Sequence, residues 1–466
     1  MPENFTFGGG LNETNLHPAV LVAMLVAIAF MMLLPRKYIL VPFLFTVILA
    51  PTGQEIYIAG AHVFVSRILI LVGWVRIAWM KPSSRDDLVP GGLKFIDKAF
   101  VLWALCRTSA FMLLYHSTGA LNNQVGFLWD VLGGYFLLRF LIRDREDISR
   151  IIKAFARIAA ILAVAMVCEG VTGRNPFGLI GGHLAPLIRD GVPRSEGPFE
   201  HAILAGTFGA VSLPLFVWLW KRGDAKFLAV IGMIASWVIV LTSKSSTPLM
   251  ALVAGIIALC FWPLREHMRL FRWGIVIILV SLHLAMKAPV WMLIARVDLV
   301  AGNSGYHRAE LIDQSIRHFG EWWLIGTDNN QNWGLEMGDV GNQFIAEAVS
   351  GGLATLVCFI VMISWSFGRI GTARKSVRGK LKQEWMVWSL GAAMFAHVVA
   401  YFGISYFDQT RFAWYSLLAI VPIGTAAVMK PSAKVTEDEI GIGAIDSGLV
   451  HASASPQSAT RGLFTS

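Results

Sequence analysis

The chain has 466 residues, 56% hydrophobic and 15% charged, with a mean hydropathy of +0.61 and a net charge of +9. Soluble chains run near ~45–50% apolar and ~25% charged, so a soluble enzyme is excluded. A single anchor carrying a large soluble domain is excluded too, because the apolar blocks recur along the whole length, and the charge sits in alternate short loops rather than in a nucleic-acid patch.

Thirteen apolar blocks are predicted to span the membrane: 18–34, 38–50, 62–79, 97–116, 124–142, 154–171, 201–220, 227–242, 248–263, 273–291, 343–367, 386–404 and 412–428. Crossing ~30 Å of hydrocarbon takes ~20 apolar residues. The second block is short and contains Pro42, so it reads as a re-entrant or broken segment. The first does not read as a cleaved signal peptide, since Glu3 and Glu13 precede it and no Lys or Arg does. Cys106, Cys168, Cys260 and Cys358 all fall inside apolar blocks and read as small core hydrophobes.

Orientation follows from charge. One set of loops and the tail hold 24 Lys and Arg, and the opposite loops hold 8. The richer side is predicted to be cytoplasmic, which puts the N-terminus outside and the C-terminus inside. Two outer loops are long, 172–200 and 292–342, and long loops in compact proteins are usually functional. The expected organisation is an all-α polytopic membrane domain, 1–429, followed by a Ser/Ala/Gly-rich disordered cytoplasmic tail, 430–466.

Charges inside spans are costly, so they pair or line a cavity. Arg107 and Asp130 are expected to form an ion pair, with Arg67 the alternative partner for Asp130. Arg76 and Arg139 are expected to snorkel toward the cytoplasmic side. His283 and His397 are expected to be satisfied by neighbouring helices.

On the outer side, where cations are scarce, three have no local explanation. Arg194 lies in Pro193-Arg194-Ser195-Glu196-Gly197-Pro198-Phe199-Glu200-His201, and Lys244 in the turn Leu241-Thr242-Ser243-Lys244-Ser245-Ser246. Arg308 begins an amphipathic helix predicted over 306–319. In that helix Asp313 and Arg317, four apart, pair with each other. Arg194, Lys244 and Arg308 are therefore the candidate binders of an anion at the outer surface. Trp322, Trp323 and Trp333 read as interfacial anchors or as platforms for sugar rings.

The run Arg194-x-x-Gly197-x-Phe199-x-His201, followed by Leu241-Thr242-Ser243-Lys244, resembles the central part of the O-antigen ligase and polymerase superfamily. So do Arg308-x-x-Leu311, Trp323-Leu324-Ile325-Gly326-Thr327, Asn342-Gln343-Phe344-Ile345 and Gly351-Gly352-Leu353, in that order over about 190–360. The resemblance implies a GT-C-like fold of about 12–13 transmembrane helices in the bacterial inner membrane. It implies an inverting, metal-independent glycosyltransferase that needs no cofactor. Such an enzyme moves a glycan from an undecaprenyl diphosphate carrier to a glycan or lipid acceptor on the periplasmic face, alongside other polysaccharide-assembly proteins. Two positions depart from the pattern: Lys244 stands where the family has Arg, and Gly341 stands where it has the proposed acceptor-activating His. The expected site is Arg194, Lys244 and Arg308 on the diphosphate, with Trp322, Trp323 and Asn342 toward the glycan. With Gly341 in the His position, Asp339 is the first candidate base, followed by His307, Glu347, Glu196 and Glu200. The missing His favours an exopolysaccharide or O-antigen polymerase. A ligase acting on lipid A core, a polysaccharide flippase or transporter, and a non-catalytic assembly partner are the alternatives.

Overall fold

The structure, a computed structural model, describes residues 13–58, 61–80, 92–189, 191–296 and 304–429. The predicted tail, 430–466, and the residues ahead of 13 lie outside the described residues.

Most of each apolar block becomes helix, with residues 62–64 of the third in a strand instead. In chain order the helices are α1 (Pro18–Leu33), α2 (Leu40–Leu49), α3 (Val65–Trp79), α4 (Phe95–Tyr115), α5 (Thr118–Leu128), α6 (Gly134–Leu141), α7 (Arg145–Thr172) and α8 (Ala202–Arg222). There follow α9 (Lys226–Thr242), α10 (Ser246–Cys260), α11 (Met268–Ala285), α12 (Ser304–Arg317), α13 (Gln343–Ser376), α14 (Leu381–Tyr401) and α15 (Thr410–Met429). A π turn, Trp129–Gly133, joins α5 to α6. Sheet among the described residues is limited to two antiparallel hairpins, β1 (Glu55–Ile58) with β2 (Ala61–Phe64) and β3 (Leu187–Arg189) with β4 (Val192–Arg194).

Among the described residues six helices are long and apolar enough to cross a membrane: α4, α7, α8, α11 with the 3₁₀ turn before it, α13 and α15. Three shorter ones, α1, α9 and α10, are apolar as well. At ~1.5 Å per residue, the ten residues of α2 reach only half-way through a hydrocarbon core, as Pro42 suggested. The chain is a helical membrane protein.

Lipid is as apolar as leucine, so helices in it associate through close packing and polar contacts rather than hydrophobic expulsion. Gly206 of α8 shows this. A Cβ there would lie 2.5 Å from Ser243 Oγ and 2.7 Å from Pro248 Cγ, so only glycine lets α8 lie against the turn between α9 and α10.

The helices run between two ends of the bundle. One end is tied by ion pairs between connecting segments and helix starts: Arg36–Asp147 at 2.8 Å, Lys153–Asp224 at 3.0 Å and Arg265–Glu384 at 3.3 Å. The opposite end carries the segments 172–200 and 292–342 wherever they are described.

The charges inside the helices depart from the sequence expectations. Asp130 pairs with Arg67, through Nε at 3.1 Å and a terminal nitrogen at 2.9 Å, and not with Arg107. Arg107 instead reaches Glu347 at 3.3 Å. The reason is packing: α4 lies along α13, while α3 lies against the π turn that holds Asp130. Arg139 does not snorkel. Its side chain is fully buried against that of Asp97 at 3.2 Å, and the Tyr135 hydroxyl donates to the same carboxylate at 2.6 Å. Cys168 and Cys260 lie on exposed faces rather than in the core. His397 is satisfied by the Tyr406 hydroxyl at 2.9 Å, a loop residue.

Two glycines lock the segment ahead of α13 onto that helix. The Thr327 N–H donates to the Val349 carbonyl and the Leu353 N–H to the Trp323 carbonyl, both at 2.8 Å. A Cβ on Gly326 would sit 2.2 Å from the Val349 oxygen, and one on Gly352 would sit 2.5 Å from the Leu324 oxygen. Gly352 breaks α13 at φ 71°, ψ −171°, a region open essentially to glycine alone. Gly352→Ala is therefore expected to cost at least about 1–3 kcal/mol, read as an earlier thermal transition of the detergent-solubilised protein. A transition at the wild-type temperature would contradict this.

Candidate functional site

The segment after β4 is fixed on two sides. The Ser195 N–H donates to the Thr242 carbonyl at 3.1 Å and the Ser195 hydroxyl to the Met166 carbonyl at 2.8 Å. The Glu196 and Gly197 N–H groups donate to the Glu169 carboxylate at 3.2 and 2.9 Å. Arg194, at the end of β4, is thereby aimed at the turn between α9 and α10. It is 8% exposed; its Nε donates to the Ser243 carbonyl at 3.4 Å and a terminal nitrogen donates to Ser245 Oγ.

Arg308 approaches the same turn from α12. It is 7% exposed and donates to Ser246 Oγ at 3.4 Å. Two guanidinium groups from different loops thus meet on consecutive serines. Lys244 stands exposed in that turn with φ 44°, a left-handed conformation rare for a lysine. Ser245 is the residue before α10, and its hydroxyl turns back to the Ser243 carbonyl at 2.9 Å instead of capping the helix. The first N–H groups of α10 and the positive end of its dipole therefore point into the same place. Arg194 and Arg308 thus come together at one helix N-terminus, with Lys244 in the turn just before it, and this arrangement can hold an anion of phosphate type.

The remaining candidates are placed as follows. Asp339 is exposed, and its backbone carbonyl lies 3.2 Å from Nε2 of His307, the neighbour of Arg308. A Cβ on Gly341 would lie 3.9 Å from the Gly403 carbonyl, which accepts from Thr247 Oγ1 at 3.3 Å, so this position borders the first turn of α10. Asn342 is buried, and its Oδ1 accepts the Phe344 and Ile345 N–H groups at 3.0 and 3.3 Å. That is the work of an N-cap on α13. Trp322 is also enclosed: its indole donates to the Ser315 carbonyl at 2.7 Å and its rings pack with Leu311 and Trp333. Trp323 is 46% exposed and remains open to a ligand. Asp313 and Arg317 pair at 2.6 Å, as their spacing predicted.

Among the carboxylates, Glu347 is taken up by Trp103 at 2.8 Å, Gln343 at 2.6 Å and Arg107. Glu196 is buried and lies 2.5 Å from His183 Nδ1. Burial raises its carboxyl above the usual range, with His183 opposing. Glu200 is half-buried. Among the described residues no three His, Cys, Asp or Glu side chains are grouped to share a metal ion.

No protein-family model and no curated protein matches this chain. The geometry must carry the functional reading.

Sequence reasoning missed Ser245 and Ser246. The signal was available: Ser-Ser-Thr-Pro immediately before an apolar block marks a helix start.

Proposed function

We propose that this chain is a membrane glycosyltransferase that takes a glycan from an undecaprenyl diphosphate carrier and passes it to an acceptor on the periplasmic face of the bacterial inner membrane. The observation that carries the reading is the meeting of Arg194 and Arg308 on Ser245 and Ser246 beside Lys244. A diphosphate leaving group next to lipid has little water to stabilise its growing charge. Preorganised cations and helix N–H groups do so without reorganising, commonly the largest catalytic term. The two arginines grip phosphate oxygens in pairs, and Lys244 adds a point charge.

The site end is the end poor in Lys and Arg, which favours placing it outside, with the N-terminus periplasmic and the C-terminus cytoplasmic. The resemblance to the O-antigen ligase and polymerase superfamily supports the same reading, with a GT-C-like arrangement of about 12–13 spans. We favour an exopolysaccharide or O-antigen polymerase. Substituting Arg194→Ala in the source cell and analysing the carrier-linked glycan tests this. Single repeat units left on the carrier are expected. Full-length chains on the carrier would make it a ligase to lipid A core, units trapped inside would make it a flippase, and an unchanged carrier pool would end the proposal.

The left-handed backbone at Lys244 separates charge from fold. Lys244→Gly removes the ammonium while relieving a conformation that costs a side-chain-bearing residue about 1–2 kcal/mol. Transfer is expected to fall at least about tenfold with no loss of thermal stability, measured on the same purified sample. Unchanged transfer would remove Lys244 from the site.

A further inference from the structure

A cavity of about 500 Å³ opens at the site end of the bundle, walled by the loop after α2, the start of α3, α5 and the start of α15. Its volume falls in the range of small-ligand pockets. Two chain segments run from the cation turn to this cavity. Arg194 at the turn is followed by Glu200 in the cavity wall, and Gly403, which accepts from Thr247, is followed by Asp408 and Gln409 in the wall. Five or six residues span at most about 20 Å, so the two places are neighbours.

The chemistry of the two places differs. At the turn three cations collect. In the cavity the cations are already engaged: Arg67 grips Asp130, and Arg411 Nε donates to the Asp408 carbonyl at 3.2 Å. The wall also presents Phe64, Phe127 and Phe407. Flat apolar faces beside carboxylate, guanidinium and amide edges suit a neutral, hydroxyl-rich ring rather than a phosphate. Gln409 adds a specific demand. Its Nε2 donates to the Ala50 and Pro198 carbonyls, both at 2.9 Å, while its buried Oε1 meets no donor among the described residues. A buried acceptor without a donor is costly, and a ligand hydroxyl would supply one.

Three carboxylates line this cavity. Asp130 is held by Arg67, and Asp408 accepts the Thr410 N–H at 2.9 Å and the Glu200 N–H at 3.3 Å. Glu200 is the one whose carboxylate has no hydrogen bond or ion pair among the described residues, while Asp408 fixes its backbone. Resting on the transferase reading above, we propose that this cavity seats the acceptor sugar and that Glu200 takes the proton from its attacking hydroxyl. As the O–H proton passes to Glu200, the oxygen lone pair bonds to the anomeric carbon of the donor glycan. The bond from that carbon to the carrier phosphate oxygen breaks, and its electron pair leaves with the diphosphate held at the cation turn. Glu200 then returns the proton to water.

The test uses the full chain in lipid nanodiscs, with two probes: undecaprenyl diphosphate for binding, and the carrier-linked glycan that accumulates in the Arg194→Ala strain for transfer. Glu200→Gln is expected to bind undecaprenyl diphosphate within twofold of wild type while transfer falls at least about 10²-fold, with Glu200→Asp recovering part of it. Arg194→Ala is expected to lose both. Should Glu200→Gln fail to fold, Asn123→Trp, which fills the cavity from α5, is expected to abolish transfer and spare diphosphate binding. Wild-type transfer by Glu200→Gln or by Asn123→Trp, or the same selective loss in Asp339→Asn instead of Glu200→Gln, overturns the acceptor-pocket proposal and leaves the transferase reading standing. If Arg194→Ala accumulates no carrier-linked glycan and binds the diphosphate normally, both fall.

Discussion

Alanine at Arg194 or at Arg308 is expected to lower glycan transfer by about 10²–10³-fold, the usual consequence of removing one preorganised donor from developing negative charge. The two losses should not add. Both guanidinium groups address neighbouring serines at the start of α10, so on the proposed reading they act on one anion as a unit, and groups that act as a unit give non-additive losses. The double variant should therefore fall little below the worse single one. Arginine-to-lysine changes should recover part of the rate but not all, because an ammonium keeps the charge and loses the paired donors. The measurement is transfer by the purified variants at saturating carrier-linked glycan. Purely additive losses would mean that the two cations serve different ligands.

How much of this was legible depends on the distance over which each feature is encoded. The helices were legible because each apolar block is its own signal, and even the short α2 announced itself through Pro42. The meeting of Arg194, Lys244 and Arg308 was legible through scarcity: cations on the poor side of a membrane protein need a reason, and these three lacked a local one. Ion pairing inside the bundle was not. Asp130 and Arg107 lie on blocks adjacent in sequence, which made them look like partners, but Arg107 finds Glu347 across 240 positions because α4 runs along α13. The structural roles of Asn342 and Trp322 were hidden for a related reason. A polar or aromatic residue beside a site motif looks like a ligand contact until its own hydrogen bonds are seen, and both turn out to hold backbone together. The cavity around Glu200 was invisible to sequence, since separate stretches of chain build it.

The pair hidden most completely from sequence carries the largest expected effect on stability. Asp97 has no role in the sequence reading and Arg139 reads there as a snorkelling cation, yet both side chains are wholly buried. Asp97 Oδ2 accepts the Lys94 N–H at 2.6 Å at the start of α4, while Oδ1 accepts from the Tyr135 hydroxyl and from Arg139 Nε. One carboxylate thus joins α4 to α6. Removing one partner breaks a buried ion pair, which typically costs about 3–5 kcal/mol. Arg139→Met and Asp97→Asn should each lower the thermal transition of the detergent-solubilised protein sharply, whereas the double replacement Asp97→Leu with Arg139→Met should recover much of the loss, since it leaves no stranded charge. Asp97 and Arg139 sit at the end of the bundle opposite the cation turn. The double variant, once folded, should therefore retain undecaprenyl diphosphate binding. If it folds but loses that binding, the two ends are coupled through α4 and the pair is more than a structural tie.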